Sequence, residues 1–463
     1  MSDIVNKLWG FCHTLRHDGV DSGDYIEQLT YLLFLKMAEE KGVSVPNSCR
    51  WITLKDLSGE ALMDHYVSML KELKEQDGIL GDIFSQPIPR INNSKNLKKL
   101  IQLIDEENWT DLDIDVQGAA FEGLLEKAAS EGKKGAGQYF TPREVIKSIV
   151  NVMKPNPIGI DDFKISDPAC GTGGFLIVAY EWLLDNFAID KLSSKEKIKL
   201  RTQTYTGQEL VNRPQRLALM NLFLHGVEPL ITLGDTIYGT DNIIRDQLSC
   251  VLTNPPFGTK GSSEVPQRTD FIVKTSNKQL NFVQYVQHSL KNEGRAAMVL
   301  PDNCLFDDKA SEVLKDLMCS CNLHTILKLP DGTFSPYAQG VKANVIFFQK
   351  GVPTDEVWIY DARTNVPSIT KRGRPLSKEQ FVEFERCFGE DENGKSNRQE
   401  NARFKRFPIE EIIRGNYKLN FSWDVDVKST VNKPKNSEKI ISEAISELES
   451  IVEEFKELFQ FVK

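Results

Sequence analysis

A glycine-rich turn between a predicted strand and a predicted helix constrains the fold of this chain more than any other feature. The segment SDPACGTGGF at 166–175 follows an apolar run at 158–165 and precedes an apolar helical pattern at 175–184. In an open α/β sheet such a turn lies at the carboxyl end of a strand, where these folds bind ligands. A glycine turn alone is a weak signal, because ordinary strand-to-helix turns have the same composition.

A second segment, VLTNPPFG at 251–258, narrows the function classes that the glycine turn alone leaves open. Its apolar, strand-like run ends in an amide side chain, two prolines and an aromatic ring. In this order, the two segments resemble the S-adenosylmethionine-dependent DNA adenine-N6 methyltransferases. Within that class the chain is most similar to the modification (M) subunits of type I restriction–modification systems. The resemblance extends over nearly the whole chain and is strongest between residues 138 and 257.

The resemblance and the hydrophobic patterns together predict an α/β chain in three parts. Residues 1–132 read as an all-α N-terminal domain with broad apolar helix faces. Residues 133–365 are expected to form a Rossmann-like methyltransferase domain, with a mixed, mostly parallel sheet flanked by helices. Residues 366–463 form a C-terminal region with a helical tail. The narrow apolar stripe of that tail suits a partner helix or its own domain, and the resemblance assigns it to the specificity subunit.

Composition limits the function classes further. With 463 residues, of which 40% are hydrophobic and 27% charged, the chain is expected to be soluble and multidomain. No leader or membrane-spanning run is apparent, which predicts a cytoplasmic protein. Its eight cysteines lack metal-site spacing, so free thiols and no metal are predicted. The net charge of −9 indicates, weakly, that another subunit supplies much of the contact with DNA.

The segment QYFTPRE at 138–144 allows two interpretations. On local grounds Thr141 is a helix cap and Pro142 the first helical residue, with Glu144 completing the cap. The resemblance implies instead a cofactor motif, whose aromatic ring and backbone line the methionine end of S-adenosylmethionine. On that basis the predicted cofactor-binding residues here are Gln138, Tyr139, Phe140, Thr141, Pro142 and Arg143.

The glycine turn supplies the next group of predicted cofactor residues. Asp167 is expected near the amino group of the ligand, and Gly171 and Gly173 allow the backbone to approach it closely. Ala169 and Thr172 complete this part of the predicted site. Cys170 has no histidine near it in the motif, so it is interpreted as a packing residue.

Two later strand ends carry acidic residues. Glu209 is placed to accept hydrogen bonds from both ribose hydroxyls. It lies about forty residues past the glycine turn, whereas a dinucleotide fingerprint places its acid about 20 residues on, which argues against NAD. Asp235, after the next strand, is either an acceptor for the adenine amino group of the cofactor or a simple turn aspartate.

Asn254, Pro255, Pro256 and Phe257 are the predicted catalytic residues. The Asn254 side-chain oxygen and the Pro255 carbonyl can accept both hydrogens of an adenine amino group, which directs the nitrogen lone pair at the sulfonium methyl group. The prolines fix the backbone, and Phe257 offers a stacking face for a base extruded from the duplex. No general base is needed, because catalysis is then mainly orientation and charge placement.

The remaining polar segments are ambiguous. The loop at 258–270 contains Lys260 and Arg268 and is predicted either to touch the target strand or to be disordered. The basic run at 371–375 suits a phosphate contact or an exposed loop. The segment 389–402 is polar and predicted to be flexible.

The function that the resemblance implies is that of a type I modification subunit that methylates N6 of a flipped-out adenine in double-stranded DNA. The resemblance implies a specificity (S) subunit as partner, with two M subunits per S subunit, and restriction (R) subunits in the full complex. No P-loop was found, so ATP-driven cleavage is not expected in this chain. The alternatives are a self-sufficient DNA adenine methyltransferase, a glutamine-amide methyltransferase and a non-catalytic scaffold with the same fold.

Overall fold

The N-terminal part of the chain is helical. The computed structural model describes residues 10, 22–109, 141–239, 244–257, 264–334, 340–370 and 373–425. Its first helices bury their apolar faces against one another, in agreement with the sequence pattern. They are α1 (Ser22–Glu40), α2 (Trp51–Asp56), α3 (Gly59–Lys74), α4 (Ile79–Ile83) and α5 (Ser94–Asp105).

The middle of the chain alternates helices with parallel strands, as the βαβ pattern predicts. Short apolar runs form the strands, and the glycine turn separates the first strand from its helix. The elements are α6 (Arg143–Met153), β1 (Ile165–Asp167), α7 (Gly174–Asn186), α8 (Ser194–Gln203), β2 (Tyr205–Glu209), α9 (Asn212–Leu224), β3 (Leu230–Leu233) and β4 (Leu248–Thr253).

The later part of the chain extends the same sheet with longer, more buried strands. Its elements are α10 (Lys278–Ser289), β5 (Leu290–Pro301), α11 (Asp308–Ser320), β6 (Cys321–Lys328), β7 (Ala343–Lys350), β8 (Glu356–Asp361), α12 (Glu379–Phe388), β9 (Phe404–Pro408) and α13 (Ile409–Arg414). The sheet therefore continues past residue 365, where sequence reasoning ended the catalytic domain. The predicted domain boundaries remain predictions.

Within the described residues the strands form a mixed sheet of nine, in the order β3-β2-β1-β4-β5-β7-β6-β8-β9. Strands β3, β2, β1, β4 and β5 are parallel, β7 is antiparallel to β5 and β6, and β8 is parallel to β6. The carboxyl ends of β1, β2, β3, β4, β5, β6 and β8 consequently meet at one edge. This mixed, mostly parallel sheet flanked by helices confirms the predicted fold class.

The helical N-terminal part packs on α9 through a buried charged cluster. The Arg216 guanidinium on α9 is 2% exposed and pairs with Glu27 on α1. The Tyr31 hydroxyl donates to Glu27 Oε1 at 3.0 Å and accepts from Arg216. The apolar helix faces predicted for residues 1–132 give no signal that a charge pair is buried there.

Two local segments make contacts that their sequence patterns do not indicate. In the segment 389–402, which is predicted to be flexible, Arg398 donates to the Phe388 carbonyl at 3.0 Å and to Thr325 Oγ1 at 2.9 Å. Asp391 Oδ1 accepts from the backbone amides of Asn393 and Lys395 and so closes the loop. Thr141 does not cap α6, whose N-cap is Pro142 with no side-chain cap bond.

The chain divides into two compact units, residues 1–422 and 423–463. All the elements above lie in the first unit. The predicted helical tail at 437–462 lies outside the described residues. Within the described part of the chain, no helix combines the length and the apolar character needed to cross a membrane.

Candidate active site

Three of the predicted site residues come together at the carboxyl edge of the parallel strands. Asp167 ends β1, Glu209 ends β2, and Asn254 follows β4 directly. These strands are neighbours in the sheet, in the order β2-β1-β4. Parallel strands that end together bring their last side chains to one crevice, which is where open α/β sheets bind ligands.

Asp167 is a buried carboxyl group held by two hydrogen bonds. Its Oδ1 accepts from the Ala169 amide at 3.1 Å and from the Thr253 hydroxyl at 2.6 Å. Burial raises the pKa of Asp167 to about 7, and the Glu209 carboxylate acts in the same direction, although both hydrogen bonds oppose the shift. Among the described residues no basic side chain forms an ion pair with it, so its charge is available to a cationic ligand.

Glu209 links the end of β2 to the glycine turn. Its Oε2 accepts from the Gly171 amide at 3.0 Å, and its Oε1 accepts from the Val211 amide at 3.0 Å. Burial raises the pKa of Glu209, and these backbone donors oppose the rise. Each carboxylate oxygen retains acceptor capacity beyond one bond, so the side chain can brace the turn and still meet ligand hydroxyls.

Two glycines of the turn have different roles: Gly173 packs closely against α9, and Gly171 leaves open space beside the backbone. Gly173 has φ +83°, and a Cβ there would come within 3.3 Å of Leu222 and Ala218 on α9. Gly171 has φ +52°, and a Cβ there would meet nothing within 4 Å. The backbone at Gly171 therefore borders open space beside Glu209, as a ligand-binding turn requires. Ala169 and Thr172 are half-buried in this turn.

Cys170 lies in the same turn and packs inward. A Cβ on the neighbouring Gly207 would lie 3.3 Å from the Cys170 Sγ. Burial raises the pKa of the Cys170 thiol well above its usual value. These contacts agree with the interpretation of this cysteine as a packing residue, because a reactive cysteine needs a lowered pKa.

The loop after β3 supports the glycine turn from the other side. Asp235 Oδ1 accepts from the Ile237 and Tyr238 amides, both at 2.8 Å, which is the geometry of a turn aspartate. The Thr236 hydroxyl donates to the Pro168 carbonyl at 2.6 Å. A cofactor role for Asp235 stays a prediction, since this contact set is explained by the turn.

Asn254 presents a buried acceptor without a partner. Its Nδ2 donates to the Thr141 hydroxyl at 2.8 Å. Its Oδ1 is buried and, among the residues that the structure describes, accepts no hydrogen bond. An unsatisfied buried polar atom is costly, so an acceptor kept in this state at a ligand-binding edge fits the binding of an amino group.

The Pro-Pro-Phe segment is fixed by two residues that sequence reasoning missed. Gln279 on α10 donates to the Pro256 carbonyl. The Phe257 ring is 6% exposed and meets Phe334 edge-on, with 5.4 Å between ring centroids. Gln279 and Phe334 are distant in sequence and carry no motif, so only the fold could reveal them.

The predicted cofactor motif before α6 is described in part. Gln138, Tyr139 and Phe140 lie outside the described residues. Arg143 forms an ion pair with Glu181 on α7, at 2.6 Å. Thr141 is 8% exposed and bonds to Asn254 instead of the helix end.

Contact with the target strand is one of two alternatives for the loop at 258–270, and the structure does not support it for Arg268, which is 2% exposed. Its guanidinium is buried against Asp270 at 2.6 Å and donates to the Thr236 carbonyl at 3.0 Å. Burial opposes ionisation of Asp270, but the Arg268 charge holds its pKa below the usual value. The pair therefore anchors the chain after the Asn-Pro-Pro-Phe segment. Lys260 lies outside the described residues. Within the described part, no cluster of His, Cys, Asp and Glu could hold a metal ion.

The chain matches known protein families and relatives over most of its length. The N-6 DNA methylase family profile matches residues 112–433, and the HsdM N-terminal domain profile matches residues 4–44. The type I restriction enzyme EcoKI methylase subunit of Escherichia coli K12 is 41% identical over 86% of this chain and 78% of its own length.

Two solved structures extend the comparison. The crystal structure of the EcoKI M protein aligns with a TM-score of 0.57 at 35% identity, over 100% of this chain and 96% of that one. A chain from a study of complex assembly and conformational transition in a type I R-M system aligns with a TM-score of 0.73 at 28% identity. That alignment covers 99% of both chains.

Proposed function

The chain belongs to the N-6 DNA methylase family, among the methylase subunits of type I restriction enzymes, and from this premise we propose how its site works. It is an adenine-specific DNA methyltransferase, and we propose that Asn254, Pro255, Pro256 and Phe257 carry the reaction at N6. The observation that supports this most is the buried Asn254 Oδ1, which lacks a hydrogen-bond partner among the described residues.

S-adenosylmethionine is the proposed cofactor, and the residues at the sheet edge fit it. It supplies a methyl group on a positively charged sulfur. Asp167 and Glu209 place two buried carboxyl groups beside open space at Gly171, which suits a ligand with positive charge and ribose hydroxyls. The remaining proposed contacts are the cofactor motif and the glycine turn: Gln138, Tyr139, Phe140, Thr141, Pro142, Arg143, Ala169, Thr172, Gly173 and Asp235.

The residues of the catalytic segment act by orientation. The Asn254 oxygen and the Pro255 carbonyl accept the two hydrogens of the adenine amino group, so the nitrogen lone pair is directed at the methyl group. Phe257 contacts the extruded base, which must leave the stack because its amino group is inaccessible there. The Gln279 bond to the Pro256 carbonyl keeps this backbone in place before the base arrives.

The partners are part of the proposal. Double-stranded DNA is the substrate, and an S subunit supplies sequence recognition, with two M subunits per S subunit. R subunits join them in the full restriction complex. The net charge of −9 supports a shared grip on DNA, because phosphate contacts require basic surface that other subunits can provide. A cytoplasmic location follows from the same proposal, since the DNA substrate lies there.

The test is transfer of a labelled methyl group from S-adenosylmethionine to mixed-sequence DNA. The purified chain is assayed alone and after co-expression with a candidate specificity subunit, each with an Asn254→Ala control. Activity that requires the partner and is lost in the control supports the proposal. Activity of the chain alone would show a self-sufficient methyltransferase, and silence in both with cofactor binding intact would indicate a scaffold or a non-DNA substrate.

A further inference from the structure

We propose that Thr141 is a positioning residue that fixes the Asn254 amide with its oxygen turned toward the target base. The inference rests on the proposed function and names one more residue on which that function depends. Thr141 lies before α6, far from Asn254 in sequence, yet its hydroxyl oxygen is 2.8 Å from Asn254 Nδ2. Both partners sit at the edge of the sheet, and Thr141 is 8% exposed.

An amide side chain has two orientations, and only one suits an amino substrate. With Nδ2 bonded to Thr141, the Oδ1 acceptor is left for the adenine amino group. If the amide turned over, Nδ2 would present a donor to the adenine amino group, which is itself a donor. The Thr141 hydroxyl could bond to either end of the amide. Its contribution is to restrain the side chain in the orientation that the structure shows, with Nδ2 bonded to Thr141 and Oδ1 left for the substrate.

Thr141 can hold this position because α6 is anchored at both ends. At the start of the helix, Arg143 pairs with Glu181 on α7 at 2.6 Å. At the end, the Arg295 guanidinium on β5 donates to the Met153 carbonyl at 2.9 Å and to the Lys154 carbonyl at 2.8 Å. The helix is thereby tied to the sheet, and the residue just before it is presented at a fixed place.

The Asn254 backbone is held independently of Thr141. Its neighbour Thr253 bonds to Asp167 on β1 at 2.6 Å, and Gln279 bonds to the Pro256 carbonyl two residues further on. With the backbone fixed on both sides, rotation of the Asn254 side chain is the freedom that remains. The Thr141 bond restricts that freedom.

The test compares Thr141→Val with Thr141→Ser in the assembled methyltransferase. Valine keeps the shape of threonine without the hydroxyl, and serine keeps the hydroxyl. We expect Thr141→Val to slow single-turnover methyl transfer about tenfold, the loss that corresponds to one hydrogen bond. The dissociation constant for S-adenosylmethionine should stay within about twofold of wild type, because the cofactor motif is proposed to contact the ligand through its aromatic ring and backbone, which Thr141→Val leaves in place, whereas the Thr141 hydroxyl bonds to Asn254. Thr141→Ser should restore the rate.

A double-mutant cycle separates this role from a cofactor contact. If Thr141 acts through Asn254, Thr141→Val has no further effect on the residual transfer rate of Asn254→Ala. The inference would be overturned if Thr141→Val slowed transfer equally in the wild-type and Asn254→Ala backgrounds. Weakened cofactor binding by Thr141→Val, or a wild-type transfer rate in that variant, would also overturn it. An inactive wild-type assembly would instead count against the proposed function, so the two failures are distinguishable.

Discussion

Asp167 and Asp361 end strands β1 and β8 at the same edge of the sheet, yet their surroundings differ. They are 2% and 3% exposed. Burial raises the pKa of Asp167 to about 7. The pKa of Asp361 is lowered although burial opposes this, because the Thr364 and Arg363 amides, the Thr364 hydroxyl and the Lys328 charge stabilise its carboxylate.

We interpret this difference as a division of roles, in which Asp361 stabilises the fold and Asp167 is proposed to bind the cofactor. Asp361 lies 3.9 Å from Lys328, and nearby Arg363 joins Asp302 in a second ion pair at 2.8 Å. Asp167 has hydrogen bonds but no ion pair among the described residues. A buried carboxyl group without a cation is unfavourable alone, and a cationic cofactor would complete it.

The largest expected effect comes from a comparison of two asparagines, Asn254 and Asn344, at the same edge of the sheet. Asn254→Ala should lower methyl transfer about 100- to 1000-fold, the usual loss when one positioned polar group in a reaction site is removed. Asn344→Ala is the matched change, since both polar atoms of the Asn344 side chain are bonded: Nδ2 donates to Asp302 at 2.7 Å, and Oδ1 accepts from Arg363 at 2.9 Å. It should lower the free energy of unfolding by about 1–3 kcal/mol and leave the single-turnover rate of the folded protein unchanged. The comparison would be contradicted if Asn344→Ala lowered the transfer rate of the folded protein and Asn254→Ala lowered only its stability.

The next effect separates the two aspartates themselves. Asp167→Asn should weaken S-adenosylmethionine binding at least about tenfold at pH 8 without lowering the unfolding temperature, because it removes a carboxylate that lacks a cation. Asp361→Asn should lower the unfolding free energy by about 1–3 kcal/mol, since Lys328 and the Thr364 and Arg363 amides lose a charged acceptor. Calorimetric titration and thermal unfolding measure both. Equal destabilisation by the two variants would contradict the distinction.

The smallest effect is a pH dependence. Because the pKa of Asp167 is about 7 in the free protein, the carboxylate is protonated at lower pH and cofactor affinity should fall as pH drops through 7. Thr253→Val removes a bond that stabilises the carboxylate, so the midpoint should move to higher pH. Cofactor titrations between pH 6 and 8 check this, with Asp167→Asn as the control. If the cofactor affinity of wild type did not change with pH, Asp167 would not be a cofactor-binding residue.

The sequence predicted the parts of the site that lie at strand ends. The glycine turn and the Asn-Pro-Pro-Phe segment follow apolar runs, and parallel strands bring such ends together, so Asp167, Glu209 and Asn254 were foreseeable as neighbours. The family comparisons confirm the resemblance drawn from these two segments. The residue roles within the site remain proposals.

The sequence could not predict contacts that depend on tertiary packing. Thr141 has the local pattern of a helix cap, but its hydroxyl bonds to Asn254, and no pattern along the chain encodes that choice. Arg268 has the composition of a DNA contact, but Asp270 two residues away allows it to be buried. The segment 389–402 is polar enough to predict flexibility, and only the fold places Arg398 where the Phe388 carbonyl and Thr325 hold it.

Proton release on cofactor binding tests the central claim most directly. Calorimetric titration of S-adenosylmethionine at pH 7, in buffers of different ionisation enthalpy, counts the protons exchanged. If the cation of the cofactor completes Asp167, wild type should release a substantial fraction of a proton more than Asp167→Asn, and Asn254→Ala should match wild type. If wild type and Asp167→Asn both bind S-adenosylmethionine tightly and release the same number of protons, the Asp167 carboxylate does not pair with the cation of the cofactor.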